Sequence, residues 1–287
     1  MTAPGRDQPL PWTTVPHSLV TNDDGVGSPR LLALAQALQA VGRVSVIAPD
    51  SNRSAIGRGI TIHHPLHVEE VTLADGSPAL ATDGTPVDCV RFAALGLLEE
   101  RPDIIVSGIN LGFNLGDDVT YSGTVAAALE GVLLGLPAIA VSAQATDPAA
   151  DQWDGEAYDF RAAAAFAAAM VPRVLAPGFP DRVILNINAP GLPPEQVGGA
   201  RITRLGRRVY NDELTLMSSE GGRRRYTIYG GPATHRREEG TDFTAVEAGA
   251  ISVTPMHFDL TDVERIAELE RMSLGDTLQV DTVPPGG

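Results

Sequence analysis

A doubly wound α/β fold with a largely parallel sheet is predicted by three observations. Short β-branched runs alternate with longer helical ones from residue 18 to about 145, and the same alternation continues to Ile187. The strand-like runs are apolar almost throughout, as expected of parallel strands covered on both faces. Polar, glycine-containing loops follow the strands, where right-handed βαβ connections place ligand-binding segments.

The elements follow in order. Leu19-Val20 begins the first strand, and Ser28-Pro29 reads as a helix cap with proline in the first turn. Leu31, Leu34, Ala35, Leu38 and Val41 then recur on one helical face, with Gly42 as the stop. Val44–Ala48 is a second strand. Gly59 to Leu73 alternates around Pro65 and reads as an edge strand or hairpin, and Thr85-Pro86 opens a helix to Leu98. Asp103–Ser107 is a buried strand that runs into Gly108–Asp118, a stretch too glycine-rich and polar to read as regular structure. Tyr121–Thr124 opens an alanine-rich helix over Val125–Leu134. Leu136–Val141, a helix from Tyr158 to about Leu175, and Val183–Ile187 complete the alternation.

Beyond it, Ala200 to Tyr229 is arginine-rich and alternating, with Gly221-Gly222 between strand candidates. This reads as a C-terminal β-hairpin arm projecting from the sheet toward another subunit. Ile251–Met256 returns as a strand, and Asp262–Met272 reads as a short amphipathic helix. The expected organisation is a flexible leader over 1–17, an α/β domain over 18–262 with the arm at 200–230, and a tail over 263–287.

Composition narrows the function. The 287-residue chain has a formal charge of −15 and contains no lysine. The acidic balance argues against a stable nucleic-acid complex, and the missing lysine excludes a standard Walker A loop. No apolar run approaches the ~18 residues of a membrane span. The proline-rich first residues lack a signal-peptide core, and Cys89 is the single cysteine. Together these point to a cytoplasmic protein.

The chemistry concentrates at Asn22-Asp-Asp-Gly25, where an apolar run ends in two adjacent carboxylates. Such a pair is costly to desolvate unless a cation lies between them. Turn chemistry is the alternative, since Asp-Gly is common in turns. Two further polar loops leave strand ends, around Asn52-Arg53-Ser54 and around Gly108-Ile109-Asn110. Asp23, Asp24, Ser54 and Asn110 then offer oxygen donors suited to Mg²⁺, Mn²⁺ or Ca²⁺. Ser122-Gly123-Thr124 stands at a helix start, where free N–H groups favour an anion, with simple capping as the alternative. A phosphate site beside a divalent metal implies phosphoryl chemistry. His63, His64 and His67 lack the spacing of a zinc site, and Asp117-Asp118 reads equally well as turn chemistry.

These blocks also occur together in a recognisable order. Asn22–Gly25, Ala48–Ser54, Gly84–Val90, Ser107–Asn110 with Asn114–Asp118, Tyr121–Ala128 and Gly240–Phe243 with Thr254-Pro255 resemble the SurE family, the stationary-phase survival nucleotidases and acid phosphatases. The resemblance covers about residues 18–262. It implies a three-layer Rossmann-like domain and a metal-dependent phosphatase that acts on nucleoside 5′- and 3′-monophosphates and, in some members, on short polyphosphate. Carried over by motif, Asp23, Asp24, Ser54 and Asn110 ligate one divalent ion per subunit, with Asp23 and Asp24 catalytic. Mn²⁺ or Mg²⁺ is the expected metal, with Ca²⁺ as a crystal substitute. Ser122, Gly123 and Thr124 hold phosphate, and Asn22, Asn52 and Asn114 are candidate supports behind the ligands. A homodimer or homotetramer is implied, paired through the arm. Gly27-Ser-Pro-Arg30 and Ala55-Ile-Gly57 depart from the usual family pattern, and neither replaces a proposed ligand.

Overall fold

The computed structural model describes residues 15–145, 159–228 and 231–272. The leader up to residue 14, Tyr158, Tyr229 and the tail beyond Met272 lie outside the described residues. Contacts divide the chain into one unit over Met1–His257 and a second over Phe258–Gly287.

Strand β1 (His17–Thr21) is buried at every position, as its apolar run requires, and lies inside a nine-stranded sheet. It pairs in parallel with β2 (Arg43–Pro49) on one side and β5 (Ile104–Leu111) on the other. Beyond β2 lie β4 (Pro78–Thr82), parallel, and the edge strand β3 (Val68–Thr72), antiparallel. Beyond β5 come β6 (Ala138–Ala143) and β7 (Val183–Ala189), both parallel. Then follow β13 (Ile251–His257), antiparallel to β7, and the short β8 (Ala200–Ile202). The order 3-4-2-1-5-6-7-13-8 reverses at β1, which is what doubly wound means.

The period-two alternation of each strand sorts its side chains into two cores. Val20, Ile104, Val106, Ile139, Val141, Leu185 and Ile187 face α1 (Pro29–Gln39) and α4 (Arg161–Leu175). Leu19, Ile105, Ala138, Ala140 and Ile184 face α2 (Pro86–Ala94) and α3 (Gly123–Leu133). Helices therefore cover both faces. The helical periodicity holds in detail: Leu31, Leu34, Ala35 and Leu38 are buried on α1, and Ala163, Ala167, Val171 and Val174 on α4. Helix α2 starts with a capping box in which Thr85 accepts from Asp88 N while the Asp88 carboxylate accepts from Thr85 N.

Several stretches differ from the expectation, among them α2, which ends at Ala94 and not at Leu98. Strand β5 continues to Leu111 through the glycine-rich stretch, with its register to β6 shifted between Ser107 and Asn110. Gly108 makes this possible, because a Cβ there would stand 2.3 Å from the Val141 carbonyl oxygen. Strand β4, Pro-Ala-Leu-Ala-Thr, has no β-branched residue before Thr82 and gives no strand signal, yet it is held between β2 and β3.

The region after β8 is a nested hairpin. Outer strands β9 (Arg208–Asn211) and β12 (Gly231–His235) pair antiparallel, and inner strands β10 (Thr215–Glu220) and β11 (Arg223–Thr227) meet across Gly221-Gly222. Ala200–Ile202 thus belongs to the central sheet, and the hairpin begins at Arg208. Helix α5 (Asp242–Glu247) is capped by Thr241. In the second unit, α6 (Val263–Arg271) is capped by Asp262. No helix among the described residues is long and apolar enough to cross a membrane.

Candidate metal and phosphate site

The loops after β1 and β2 and the start of α3 meet at Asp23. Directly after β1, the Asn22 side chain closes a tight turn, its Oδ1 accepting from Gly25 N at 3.2 Å and its Nδ2 donating to Gly25 O at 3.0 Å. Gly25 completes the turn with φ of +103°. This turn places Asp23 and Asp24 directly beyond the strand end.

Asp23 is 3% exposed. Its backbone oxygen accepts from Arg53 N at 2.7 Å, which joins the loop after β1 to the loop after β2. Its Oδ1 accepts from the Thr124 hydroxyl at 2.6 Å. Gly123 packs so close that a Cβ there would lie 2.9 Å from both Cβ and Oδ2 of Asp23. The carboxylate and the helix start are therefore in direct contact. Burial, with a further contribution from Asp24, pushes the Asp23 carboxyl up to about 6 against the pull of the Thr124 hydrogen bond.

Asp24 is held differently. Its Oδ2 accepts from Arg30 Nε at 3.2 Å, and Arg30 Nη2 lies 3.1 Å from the same oxygen. Arg30 stands in the first turn of α1, where the helix dipole disfavours a cation unless an anion faces it. That mismatch is the signal by which sequence reasoning could have found Arg30, and it was missed.

The loop after β2 is shaped by Asn52, whose Oδ1 accepts from Ser54 N at 2.7 Å. Ser54 is exposed, and Ala55 follows with φ of +60°. At the end of β5, Asn110 donates through Nδ2 to Leu111 O and Gly112 O at 3.1 and 3.0 Å. This turns its carboxamide oxygen the other way. Among the described residues no hydrogen bond joins the Ser54 or Asn110 side chain to either carboxylate. Asn114 lies deeper: its N–H donates to Asn188 Oδ1, its Nδ2 donates to Ser142 Oγ, and its carbonyl accepts from Asn186 and Asn188. It pins the loop after β5 to β6 and β7.

At the start of α3, Ser122 is both a cap and a candidate phosphate residue. Its Oγ accepts from Val125 N at 3.1 Å and keeps its own hydrogen to donate. The Thr124 hydroxyl hydrogen is committed to Asp23. The backbone N–H groups of the first turn are left facing out of the helix, as at any helix start. Tyr121 O accepts from Gly57 N at 3.0 Å, so the Ser54 loop is also tied to this corner.

Three anchors hold the loops around this corner, and of these Glu130 escaped the sequence reading. Glu130 on α3 is fully buried and receives Arg58 Nη2 from the Ser54 loop at 2.7 Å on Oε2, while Arg91 Nη2 makes a charge contact with Oε1 at 2.7 Å. In an alanine-rich helix a lone glutamate reads as surface. Arg58→Met is expected to lower unfolding free energy by roughly 1–3 kcal/mol, because Arg91 still faces Glu130. A urea midpoint left unchanged would refute that. Asp242, fully buried, accepts from Gly116 N and Gly206 N at 2.7 and 2.8 Å and staples the loop after β5 to the root of the hairpin. Asp117 and Asp118 receive that root, accepting from Arg208 N and from Arg208 Nε and Tyr210 Oη, each at 2.8 Å. They serve the hairpin.

The donor set fits a hard divalent cation. Asp23 and Asp24 are adjacent hard-oxygen donors, and the side chain that hydrogen-bonds the buried Asp23 carboxylate is a neutral hydroxyl rather than a cation. Among the described residues no group of three or more His, Cys, Asp or Glu forms a metal cluster, so His63, His64 and His67 do not make one. Cys89 is a buried thiol pushed up to about 12 by desolvation.

Known proteins resemble this chain in sequence and fold. A family model described as survival protein SurE matches residues 18–212. A 5′-nucleotidase SurE of Rubrobacter xylanophilus is 52% identical over 262 residues, 90% of this chain and 97% of the relative. One of Geobacter sulfurreducens is 49% identical over 256 residues, covering 89% and 93%. The crystal structure of the SurE protein from Aquifex aeolicus superposes with a TM-score of 0.74 at 37% identity, covering 90% of this chain and all of that one. With family model, relatives and fold agreeing over the segment that carries the carboxylate pair and the α3 start, this chain belongs to the SurE family.

Proposed function

We propose that this chain hydrolyses nucleoside 5′-monophosphates to nucleoside and phosphate, with one divalent ion per subunit, Mn²⁺ or Mg²⁺, held by Asp23, Asp24, Ser54 and Asn110. The observation that carries the reading is the 2.6 Å contact between Thr124 Oγ1 and Asp23 Oδ1, which fuses a carboxylate pair to a helix start. One half suits a cation and the other an anion. The relatives named 5′-nucleotidase support the substrate class. Nucleoside 3′-monophosphates and short polyphosphate are further substrates on the family resemblance.

A bound divalent ion supplies charge neutralisation at the phosphoryl oxygens and acidifies a water for attack on phosphorus. The chain's own residues do the rest. The N–H groups of Gly123 and Thr124 and the Ser122 hydroxyl bind the equatorial oxygens and stabilise the charge that grows on them. Thr124 fixes the Asp23 rotamer, Asn22 and Asn52 fix the loops that present Asp24 and Ser54, and Asn114 fixes the loop after Asn110. The direct contact between Gly123 and Asp23 sets the spacing between the two halves.

We place catalysis in residues 18–262 and subunit pairing, as a dimer or tetramer, in the hairpin arm. Leu216, Met217, Tyr226 and Ile228 expose apolar surface there. The leader over 1–17 and the tail over 263–287 take no part in the chemistry. A cytoplasmic site of action fits a nucleotide substrate and the single buried thiol.

Phosphate release from AMP and GMP tests the function. Release is expected with Mn²⁺ and is expected to fall to background in EDTA, returning on metal addition. Release that persists undiminished in EDTA refutes the metal-dependent reading.

A further inference from the structure

Arg30 is a buried guanidinium aimed at one oxygen of a proposed metal ligand. Its side chain is 10% exposed and that of Asp24 6%. Both Nε and Nη2 converge on Asp24 Oδ2, at 3.2 and 3.1 Å. The Phe160 ring lies 5.9 Å from Arg30 Cζ and backs the guanidinium. On the neighbouring residue, Asp23 Oδ1 is likewise taken, by the Thr124 hydroxyl. Each carboxylate therefore has one oxygen committed within the protein and one to offer.

Denticity separates the hard cations. Ca²⁺ takes six to eight oxygens and commonly binds a carboxylate through both, whereas Mg²⁺ demands a near-octahedral shell with single-oxygen carboxylates. With a guanidinium hydrogen-bonded through Nε to its second oxygen and Nη2 also 3.1 Å away, Asp24 can chelate a cation only by bringing that cation against the positive charge of Arg30. The fixed positive charge of Arg30 also offsets one of the two negative charges that would attract any divalent ion.

We propose that Arg30 is a positioning residue that restricts Asp24 to one ligating oxygen, and so biases the site toward small octahedral ions and against Ca²⁺. This rests on the metal site proposed above.

The test is calorimetric titration of the full-length protein with Mn²⁺ and separately with Ca²⁺, for the wild type, Arg30→Met, Arg30→Lys and Asp23→Asn. Methionine keeps length without charge or donors. Arg30→Met is expected to narrow the ratio of the Ca²⁺ to the Mn²⁺ dissociation constant by roughly tenfold, with Ca²⁺ gaining more. Arg30→Lys, which keeps the charge but not the paired donors, is expected to move the ratio the same way by about threefold. It also answers the question if the methionine variant fails to fold by circular dichroism. A ratio within twofold of wild type in the folded variants overturns the proposal. Failure of the underlying metal site reads differently: the wild type would not bind Mn²⁺, or Asp23→Asn would bind it as tightly as the wild type.

Discussion

Asp23→Asn is expected to reduce Mn²⁺-dependent phosphate release from AMP by about 10³-fold or more, while the metal-free variant melts at a higher temperature than the metal-free wild type. The activity loss follows from the site: the substitution removes the negative charge that faces a divalent ion, and several kcal/mol of transition-state stabilisation go with it. The stability gain follows from the same burial. Asp23 is 3% exposed and lies beside Asp24, and the side chain donating to its carboxylate is the neutral Thr124 hydroxyl. Burial and Asp24 raise its carboxyl to about 6. At pH 8 the metal-free protein therefore holds an ionised group that folding disfavours. The sign is fixed: a carboxylate raised above its unfolded value costs stability as pH rises through the folded value, and asparagine escapes that cost. Asparagine can still accept from Thr124 through its amide oxygen. Melting with and without EDTA at pH 8, alongside the phosphate assay, separates the effects. A variant both inactive and less stable without metal would mean that Asp23 is a structural residue and not a metal ligand.

That opposition between function and stability explains why this part of the site was legible in sequence. Asn22-Asp-Asp-Gly25 breaks an apolar strand abruptly, which is a local violation with no local compensation, and such violations gather at functional sites. The strands were legible because a sheet covered on both faces demands continuous apolar runs. Other parts were silent for equally physical reasons. Strand β4 is specified by its neighbours β2 and β3 and by little in its own sequence. Strand β5 runs on through Gly108 because an absent side chain lets Val141 approach, and glycine otherwise reads as a break. Glu130 gave no sign of burial, since its partner Arg58 lies 72 residues away and only the fold brings them together. Arg30 was the one hidden residue with a local signal, a cation in the first turn of an otherwise uncharged helix.

Gly123→Ala is expected to cost about 10²-fold in turnover and roughly 1–3 kcal/mol of folding stability from crowding against Asp23. The first turn of a helix accepts alanine readily, and Gly123 does not adopt a left-handed φ. The obstacle is Asp23: the added methyl would stand 2.9 Å from its Cβ and Oδ2 and 3.3 Å from its Cγ. Relief requires either the carboxylate or the helix start to shift by several tenths of an ångström. The carboxylate can turn only by disturbing the 2.6 Å hydrogen bond from Thr124, and the helix start can withdraw only by carrying its N–H groups away from the metal. Both movements lengthen the distance between cation and phosphate subsites, and a misplacement of about 1 Å in a reacting geometry is worth about 10² in rate. The loss is expected chiefly in kcat, because Ser122 and the N–H groups still bind ground-state phosphate. Steady-state kinetics with AMP, together with a melting curve, make the test. Unchanged kcat would show that the contact between Gly123 and Asp23 is packing alone, and that the metal and phosphate halves of the site do not depend on their mutual spacing.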